Sequence, residues 1–206
     1  MLEMKLRELW KSWEDFYNSK GIEKTHICKD GFINIKEYMQ ARKKILFVLK
    51  DVNDYPGGDL ADLLKEGPKY QMWHTIARWA AGILNDFPKY ELIDNYDIMK
   101  KSLLQVAAIN LKKISGMSYA DMRIINAFSK QDKHLLVKQI EIVNPQIIIA
   151  CGTFDSLIWI LDLDVNPFEL DKKGVIKDKW LVIQWRHPGR ANNKKTFENL
   201  RKLMKN

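Results

Sequence analysis

The amino-acid sequence predicts an α/β protein in which a short, mainly parallel sheet of four strands lies between two layers of helices. Three observations carry this prediction: four apolar runs of strand length, helical patterns between them, and little polar alternation within the runs. Strands that alternate with helices are typical of βαβ units and a parallel sheet. Because strands without polar alternation are usually covered on both faces, we expect a three-layer α/β/α sandwich.

The first 20 residues are predicted to form a helix, because their apolar side chains recur at intervals of three and four. Gly21 is a plausible stop for that helix. The following mixed segment contains few strong signals, and we expect a loop and a short helix there. Residues 1–44 are therefore interpreted as a helical extension packed on a core of residues 45–206, within a single domain of 206 residues.

The core alternates strands and helices. The predicted strands are continuous apolar runs with several β-branched residues, and they cover residues 45–49, 105–110, 146–151 and 180–185. The predicted helices of the core cover residues 60–65, 71–84, 130–143, 155–161 and 194–205. Turn residues separate them: Gly57 and Gly58 precede the first of these helices, Pro145 ends the third, and Gly152 follows the third strand.

Composition excludes several classes of protein. No apolar run approaches the roughly 18 residues that span a membrane, and the first ten residues mix acids with bases. We therefore expect a cytoplasmic protein with no membrane partner. The only two cysteines, Cys28 and Cys151, cannot form a disulfide framework or an iron–sulfur cluster. The four histidines are scattered, so we expect no metal and no cofactor.

The positive charge is concentrated at the end of the chain. The net charge is +8, and residues 171–206 alone hold 11 Lys and Arg against 3 Asp and Glu. A basic segment of this kind favours a polyanionic partner, and DNA, single- or double-stranded, is the first candidate. A solvated helix that only aids solubility explains the same charge equally well.

A polar residue or a glycine stands at the carboxyl end of each predicted strand or within two residues of it. These residues are Asp51, Asn110, Gly152 and His187, and the last stands in a His-Pro pair. Right-handed crossovers place the carboxyl ends of parallel strands on one edge of the sheet, where ligands bind in such folds. The glycine-rich signatures of dinucleotide and triphosphate sites and the nucleophile elbow of hydrolases are missing from the sequence.

In their order and spacing, four short segments resemble the uracil-DNA glycosylase superfamily. The family's first motif, written GQDPY, GEAPG or GMNPG in different branches, matches residues 49–53, and its Asn after the second strand matches Asn110. Its Pro-strand-Gly segment matches residues 145–152, and its last motif, HPS or similar, matches residues 187–189. The resemblance covers residues 45–205, and the iron–sulfur branch is excluded by the two cysteines.

The resemblance implies a monomeric, monofunctional DNA glycosylase that flips uracil or a 5-substituted pyrimidine out of DNA and removes it by hydrolysis. Asp51 would position the water and stabilise the positively charged sugar, and His187 would donate a hydrogen bond to the departing base. The substrate-binding residues would be Asn53, Asn110, Gly57 and Gly58. The DNA-binding residues would be Lys112, Lys113, Pro188, Gly189 and Arg190.

The first and last motifs depart from the family pattern. Leu49 and Val52 replace the usual Gly and Pro, and Gly189 replaces the usual Ser, which removes a hydroxyl that contacts phosphate. Asn53 stands where the uracil-specific branch has a Tyr that excludes thymine, so we expect tolerance of a larger or polar 5-substituent.

Purely structural roles explain the same residues without any catalysis. Asp51 and Asn110 are common turn or cap residues, and His187 is explained equally well as a partly buried histidine with no catalytic role. The alternatives for the whole chain are a catalytically silent DNA- or nucleotide-binding module of the same fold, an enzyme acting on free nucleosides, and a Rossmann-like enzyme of another class.

Overall fold

The computed structural model describes residues 1–53, 57–116, 120–165, 174–177, 179–189 and 191–205. The helices in these ranges are α1 Leu2–Asn18, α2 Ile35–Gln40, α3 Leu60–Leu64, α4 Gln71–Leu84, α5 Tyr90–Ile93, α6 Tyr96–Leu104, α7 Met122–Gln131, α8 Lys133–Val143, α9 Phe154–Ile160 and α10 Asn193–Lys205. The strands are β1 Cys28–Lys29, β2 Gly31–Phe32, β3 Ile45–Leu49, β4 Val52–Asn53, β5 Gly58–Asp59, β6 Ala107–Asn110, β7 Ser115–Gly116, β8 Ile147–Cys151, β9 Val175–Lys177 and β10 Trp180–Trp185.

The main sheet is mixed, with a parallel centre. Its strand order is β2-β6-β3-β8-β10-β9, and the four central strands pair in parallel. These four are the strands that the sequence predicts. The prediction of a four-stranded sheet is nevertheless wrong among the described residues, because β2 and β9 add antiparallel edges. Strands of two and three residues are too short to leave an alternation pattern.

Both faces of the sheet are buried under apolar side chains. Ile45, Phe47 and Leu49 of β3 belong to one core cluster, and Leu46 and Val48 belong to the other. Helices α4, α6 and α10 contribute to the first cluster, and α1, α8 and α9 contribute to the second. The molecule is therefore a mixed α/β protein whose parallel strands are covered on both sides, as their continuous apolar sequence indicates.

The helices differ from the sequence prediction in two places. The segment predicted as one helix over 130–143 is two helices, α7 and α8, which meet at the buried Asp132. Tyr17 of α1 donates a hydrogen bond of 2.6 Å to that carboxylate. Helix α6 was not predicted, although Asn95 caps it by accepting hydrogen bonds from the amides of Asp97 and Ile98.

Two small parallel pairs extend the carboxyl edge of the sheet. β4 pairs with β7, so that Val52 lies opposite Ser115 and Asn53 opposite Gly116. β5 pairs with β1. The chain that follows β3 is thus held beside the chain that follows β6, which fixes the loops in which the predicted site residues lie.

Candidate functional site at the carboxyl edge of the sheet

The four predicted strand-end residues lie on one edge of the sheet, because β6, β3, β8 and β10 are parallel neighbours in that order. The turn after β8 is hydrogen-bonded to the ends of the two strands that flank β8, namely β3 and β10. Its Gly152 amide donates to the Trp185 carbonyl at 2.8 Å, and the Thr153 hydroxyl donates to the Val48 carbonyl at 2.9 Å. These bonds attach the turn to both flanking strands, β10 and β3.

The Asp51 carboxylate is withdrawn from solvent. Its side chain is 10% exposed, and the ammonium of Lys112 lies 3.5 Å from its Oδ2. Burial raises the pKa of Asp51, while the charges of Lys112 and Lys50 oppose that shift. A desolvated carboxylate of this kind is a stronger base than an exposed one, and its charge acts over a longer range.

Backbone hydrogen bonds hold the Asp51 loop in register with the loop after β6. The amides of Leu111 and Lys112 donate to the carbonyls of Leu49 and Lys50 at 3.0 and 3.1 Å. Gly116, at the end of this paired stretch, lies directly against the Asp51 carboxylate, and a Cβ at that position would overlap Oδ2. Position 116 therefore requires glycine as long as the carboxylate stays in place.

We expect Gly116→Ala to destabilise the protein by about 1–3 kcal/mol, because the added methyl group overpacks against the Asp51 carboxylate. The free energy of unfolding in urea measures this loss. Combining the change with Asp51→Ala should recover most of it, since the overlapping oxygen is then removed. A double variant that is no more stable than Gly116→Ala would contradict the contact.

One ring nitrogen of His187 is engaged within the chain. The residue is exposed, and its Nδ1 accepts a hydrogen bond of 3.1 Å from the Gly189 amide. Although the residue as a whole is exposed, partial desolvation of its ring lowers the pKa of His187, and the positive charge of Lys50 lowers it further. Because Nδ1 acts as an acceptor, the neutral ring carries its proton on Nε2 and offers it as a donor.

Lys50 is the site residue that sequence reasoning missed. Its Cε lies 3.3 Å from the point where a Cβ on Gly152 would stand, and the Cβ of His187 lies 3.7 Å from the same point. The φ angle of Gly152 is +71°, and the missing side chain leaves room for the lysine stem. The only signal in the sequence was that a cation directly follows the first predicted strand.

Asn110 does not face the edge as a free amide. It is 3% exposed, and its backbone and side-chain nitrogens both donate to Asp30 Oδ2, at 2.8 and 3.2 Å. In this structure the amide group is committed to the protein. The prediction that it binds a pyrimidine edge gains no support from this placement.

The two lysines after β6 are also engaged within the protein, so their predicted contact with DNA gains no support from this structure. Lys113 is fully buried, and its ammonium donates to Asp30 Oδ1 at 2.7 Å and to the Asn110 carbonyl at 2.8 Å. Lys112 is 5% exposed and donates to the Ser115 carbonyl at 2.8 Å. In this conformation neither ammonium is available to a DNA phosphate, so both lysines act as internal supports of the loop.

The two glycines before α3 approach the chain itself. A Cβ on Gly57 would overlap the carbonyl oxygen of Thr25, and the Gly58 amide donates to the Ile27 carbonyl at 3.2 Å. Their freedom from a side chain is therefore used to pack β5 on the segment before β1. The close approach expected for a flipped nucleotide is occupied by protein backbone.

The structure describes three of the four remaining predicted site residues, and for Asn53 it describes only the backbone. Pro188 is buried, and Gly189 is half-buried and donates its amide to the His187 ring. The backbone of Asn53 lies in β4 opposite Gly116. Arg190 lies outside the described residues.

Two wider surveys of the described residues bear on the kind of site. No three side chains among His, Cys, Asp and Glu come together there as a possible metal centre. Within the same ranges, the helices are all too short or too polar to cross a bilayer.

Residues at the edge offer a carboxylate, a neutral imidazole donor and a lysine, which is a set suited to acid–base and electrostatic chemistry.

Comparison of the chain with protein-family models and with curated proteins finds no match in either case.

Proposed function

We propose that the chain is a monofunctional DNA glycosylase with the three-layer α/β/α fold of the uracil-DNA glycosylase superfamily, acting as a cytoplasmic monomer on uracil or a 5-substituted pyrimidine. One observation carries the proposal: a desolvated carboxylate and a neutral imidazole donor stand at the carboxyl edge of the same parallel sheet. Ligands of open α/β sheets bind at this edge.

The two groups fit the charges that develop when an N-glycosidic bond breaks. The sugar becomes positively charged, and the buried Asp51 carboxylate would stabilise that charge and position the attacking water. The base leaves as an anion, and the Nε2–H of His187 would donate to its oxygen. The neutral ring can fill this role, because its proton is on Nε2 when Nδ1 accepts from the Gly189 amide.

Exposed basic residues near the end of the chain would hold the phosphate backbone. The described part of this segment includes exposed cations on either side of β10 and on α10, namely Lys179, Arg186, Lys194, Lys195, Lys202 and Lys205. Their number suits an electrostatic, sequence-independent contact with DNA. This set replaces the buried Lys112 and Lys113 in the proposal.

A catalytically silent DNA-binding module is the second candidate, and one observation favours it. The Asp51 carboxylate already has a protein partner in Lys112 and packs on Gly116, as a purely structural turn residue would. In this case the edge would still bind a nucleotide but would break no bond. The candidates differ in whether abasic sites form.

The direct test is a panel of oligonucleotides, single- and double-stranded, that carry uracil, 5-hydroxymethyluracil, 5-formyluracil or thymine. We expect abasic sites, detected as alkali-sensitive breaks, at uracil and at one or more of the 5-substituted bases. His187→Ala should slow base release about 10²- to 10³-fold, as the loss of one oxyanion donor does elsewhere. The matched control is His26→Ala, which removes an exposed histidine of the turn before β1.

The panel separates the candidates. DNA binding without abasic sites on any member would favour the silent module over the glycosylase. Release of plain uracil alone would contradict the expected tolerance of a 5-substituent, and it would leave the glycosylase proposal intact.

A further inference from the structure

The Lys50 side chain lies beside Gly152 and His187, and its charge acts on both proposed catalytic groups. Its stem runs along Gly152, next to His187, and its charge lowers the pKa values of both His187 and Asp51. Its backbone carbonyl accepts from the Lys112 amide, so the residue is held by the same paired loops that hold Asp51. Lys50 is half-buried at the edge of the sheet.

The Lys50 ammonium has no hydrogen-bond or ion-pair partner among the described residues. The Asp51 carboxylate, whose pKa is raised by burial and lowered in part by the charge of Lys50, is paired with Lys112 at 3.5 Å. His187 is neutral when Nδ1 accepts from Gly189, so it contributes no net charge and cannot act as a counterion for Lys50. Among the described groups at this point, two lysines, one carboxylate and one neutral ring leave an excess of positive charge.

A half-buried cation without a counterion beside a free N–H donor is an arrangement that attracts an anion. Lys50 supplies up to three donors, and His187 Nε2 supplies one. Gly152 keeps the space between them free of a side chain. The structure thus provides both the charge and the directed donor that an oxyanion requires.

We propose that Lys50 and His187 form a binding site for an anionic oxygen of the substrate. The inference rests on the proposed function and deepens it: the oxygen belongs either to the departing pyrimidine anion or to a phosphate of the flipped nucleotide. Lys50 then stabilises negative charge that His187 alone, as a single neutral donor, stabilises less well.

The experiment compares Lys50→Met with the unchanged protein. Methionine keeps the unbranched stem that packs along Gly152 and removes the ammonium. Lys11→Met is the matched control, because it removes the same charge from an exposed position on α1. Single-turnover base release is measured on oligonucleotides carrying uracil and 5-fluorouracil, since the second base is the better leaving anion.

If the oxygen belongs to the base, Lys50→Met slows uracil release about 10- to 100-fold and 5-fluorouracil release distinctly less. If it belongs to a phosphate, both bases lose rate equally, and the slope of log affinity against log salt concentration falls by about one. Either result supports the site. Rates and salt slopes that equal those of Lys11→Met for both bases overturn it.

A binding measurement that needs no catalysis keeps this inference separate from the proposed function. The probes are free 5-nitrouracil, which is anionic at neutral pH, and inorganic phosphate, each titrated by NMR against the His187 ring signals. Lys50→Met should weaken the probe that binds by about tenfold or more. A protein that releases no base but binds a probe through Lys50 overturns the glycosylase and supports the anion site. Binding of neither probe, together with rates that do not depend on Lys50, overturns the site.

Discussion

Replacing Asp51 by Asn is expected to slow single-turnover release of the base by about 10²- to 10⁴-fold, the range over which a positioned acid–base group contributes. Asparagine keeps the size of the side chain beside Gly116 and Lys112, and it can still accept a hydrogen bond. It lacks the negative charge that would stabilise the sugar cation and the basicity that would accept a proton from water. Burial makes that loss larger, because the charge acts in a medium less polar than water.

The matched control is Asp162→Asn. Asp162 also pairs with a lysine, Lys133, at 2.8 Å, but its side chain is 75% exposed. Exposed pairs contribute about 0–1 kcal/mol, so this variant should keep both its stability and its rate. Full activity in Asp51→Asn would leave Asp51 as a structural turn residue and would remove the catalytic role proposed for it.

The pH dependence of base release gives a second measurement of the same group. Burial raises the pKa of Asp51, so its carboxylate becomes protonated at a higher pH than that of an exposed aspartate. If the ionised form is the active one, the rate falls as pH drops through that raised value. Asp51→Asn should lose this acidic limb, and a limb that persists in the variant would assign it to another group.

The parallel centre of the sheet could be predicted from the sequence because its strands are continuous apolar runs. Ile45–Leu49, Ile147–Cys151 and Trp180–Trp185 were predicted to the residue or within one residue. Their parallel pairing then placed Asp51 and His187 on one edge without any knowledge of contacts. The edge strand Gly31–Phe32 could not be predicted, because two residues carry no periodicity.

The orientation of polar side chains at the edge could not be predicted in the same way. The resemblance assigns Lys112 and Lys113 to DNA, and a solvated loop is the alternative for both, since lysine is rarely buried without a partner. The partner of Lys113 is Asp30, which stands 83 positions away in the sequence. A pairing at that distance leaves no local signal, so the sequence assigned to DNA two cations that the structure assigns to the protein interior.

We expect Lys113→Met to lower the free energy of unfolding by about 3–5 kcal/mol, because it leaves a buried carboxylate without its cation. The two side chains are 0% and 1% exposed, and their atoms Nζ and Oδ1 lie 2.7 Å apart. The ammonium also lies over the rings of Trp13 and Trp10, at 5.5 and 5.9 Å. A loss of this size is a large fraction of the stability of an ordinary domain.

Urea unfolding measures the loss, and a double-mutant cycle with Asp30→Asn assigns it to the pair. Asparagine at position 30 keeps an acceptor for the Asn110 amide but carries no charge. The double variant should therefore be more stable than the sum of the two single losses allows. Lys133→Met, which breaks the exposed pair with Asp162, is the control and should change stability by less than about 1 kcal/mol.

The same variant tests whether the buried pair between Lys113 and Asp30 holds the loop of the proposed site in place. Lys113 contacts the tryptophans of α1 on one side and, through its carbonyl, accepts the Cys28 amide at 2.7 Å on the other. It belongs to the loop that ends at Gly116, against the Asp51 carboxylate. If the buried pair holds that loop, Lys113→Met should also raise the rate of amide hydrogen exchange at residues 111–116 while the sheet amides stay protected. Equal loss of protection in both regions would mean that the pair supports the fold as a whole and does not act selectively on the site.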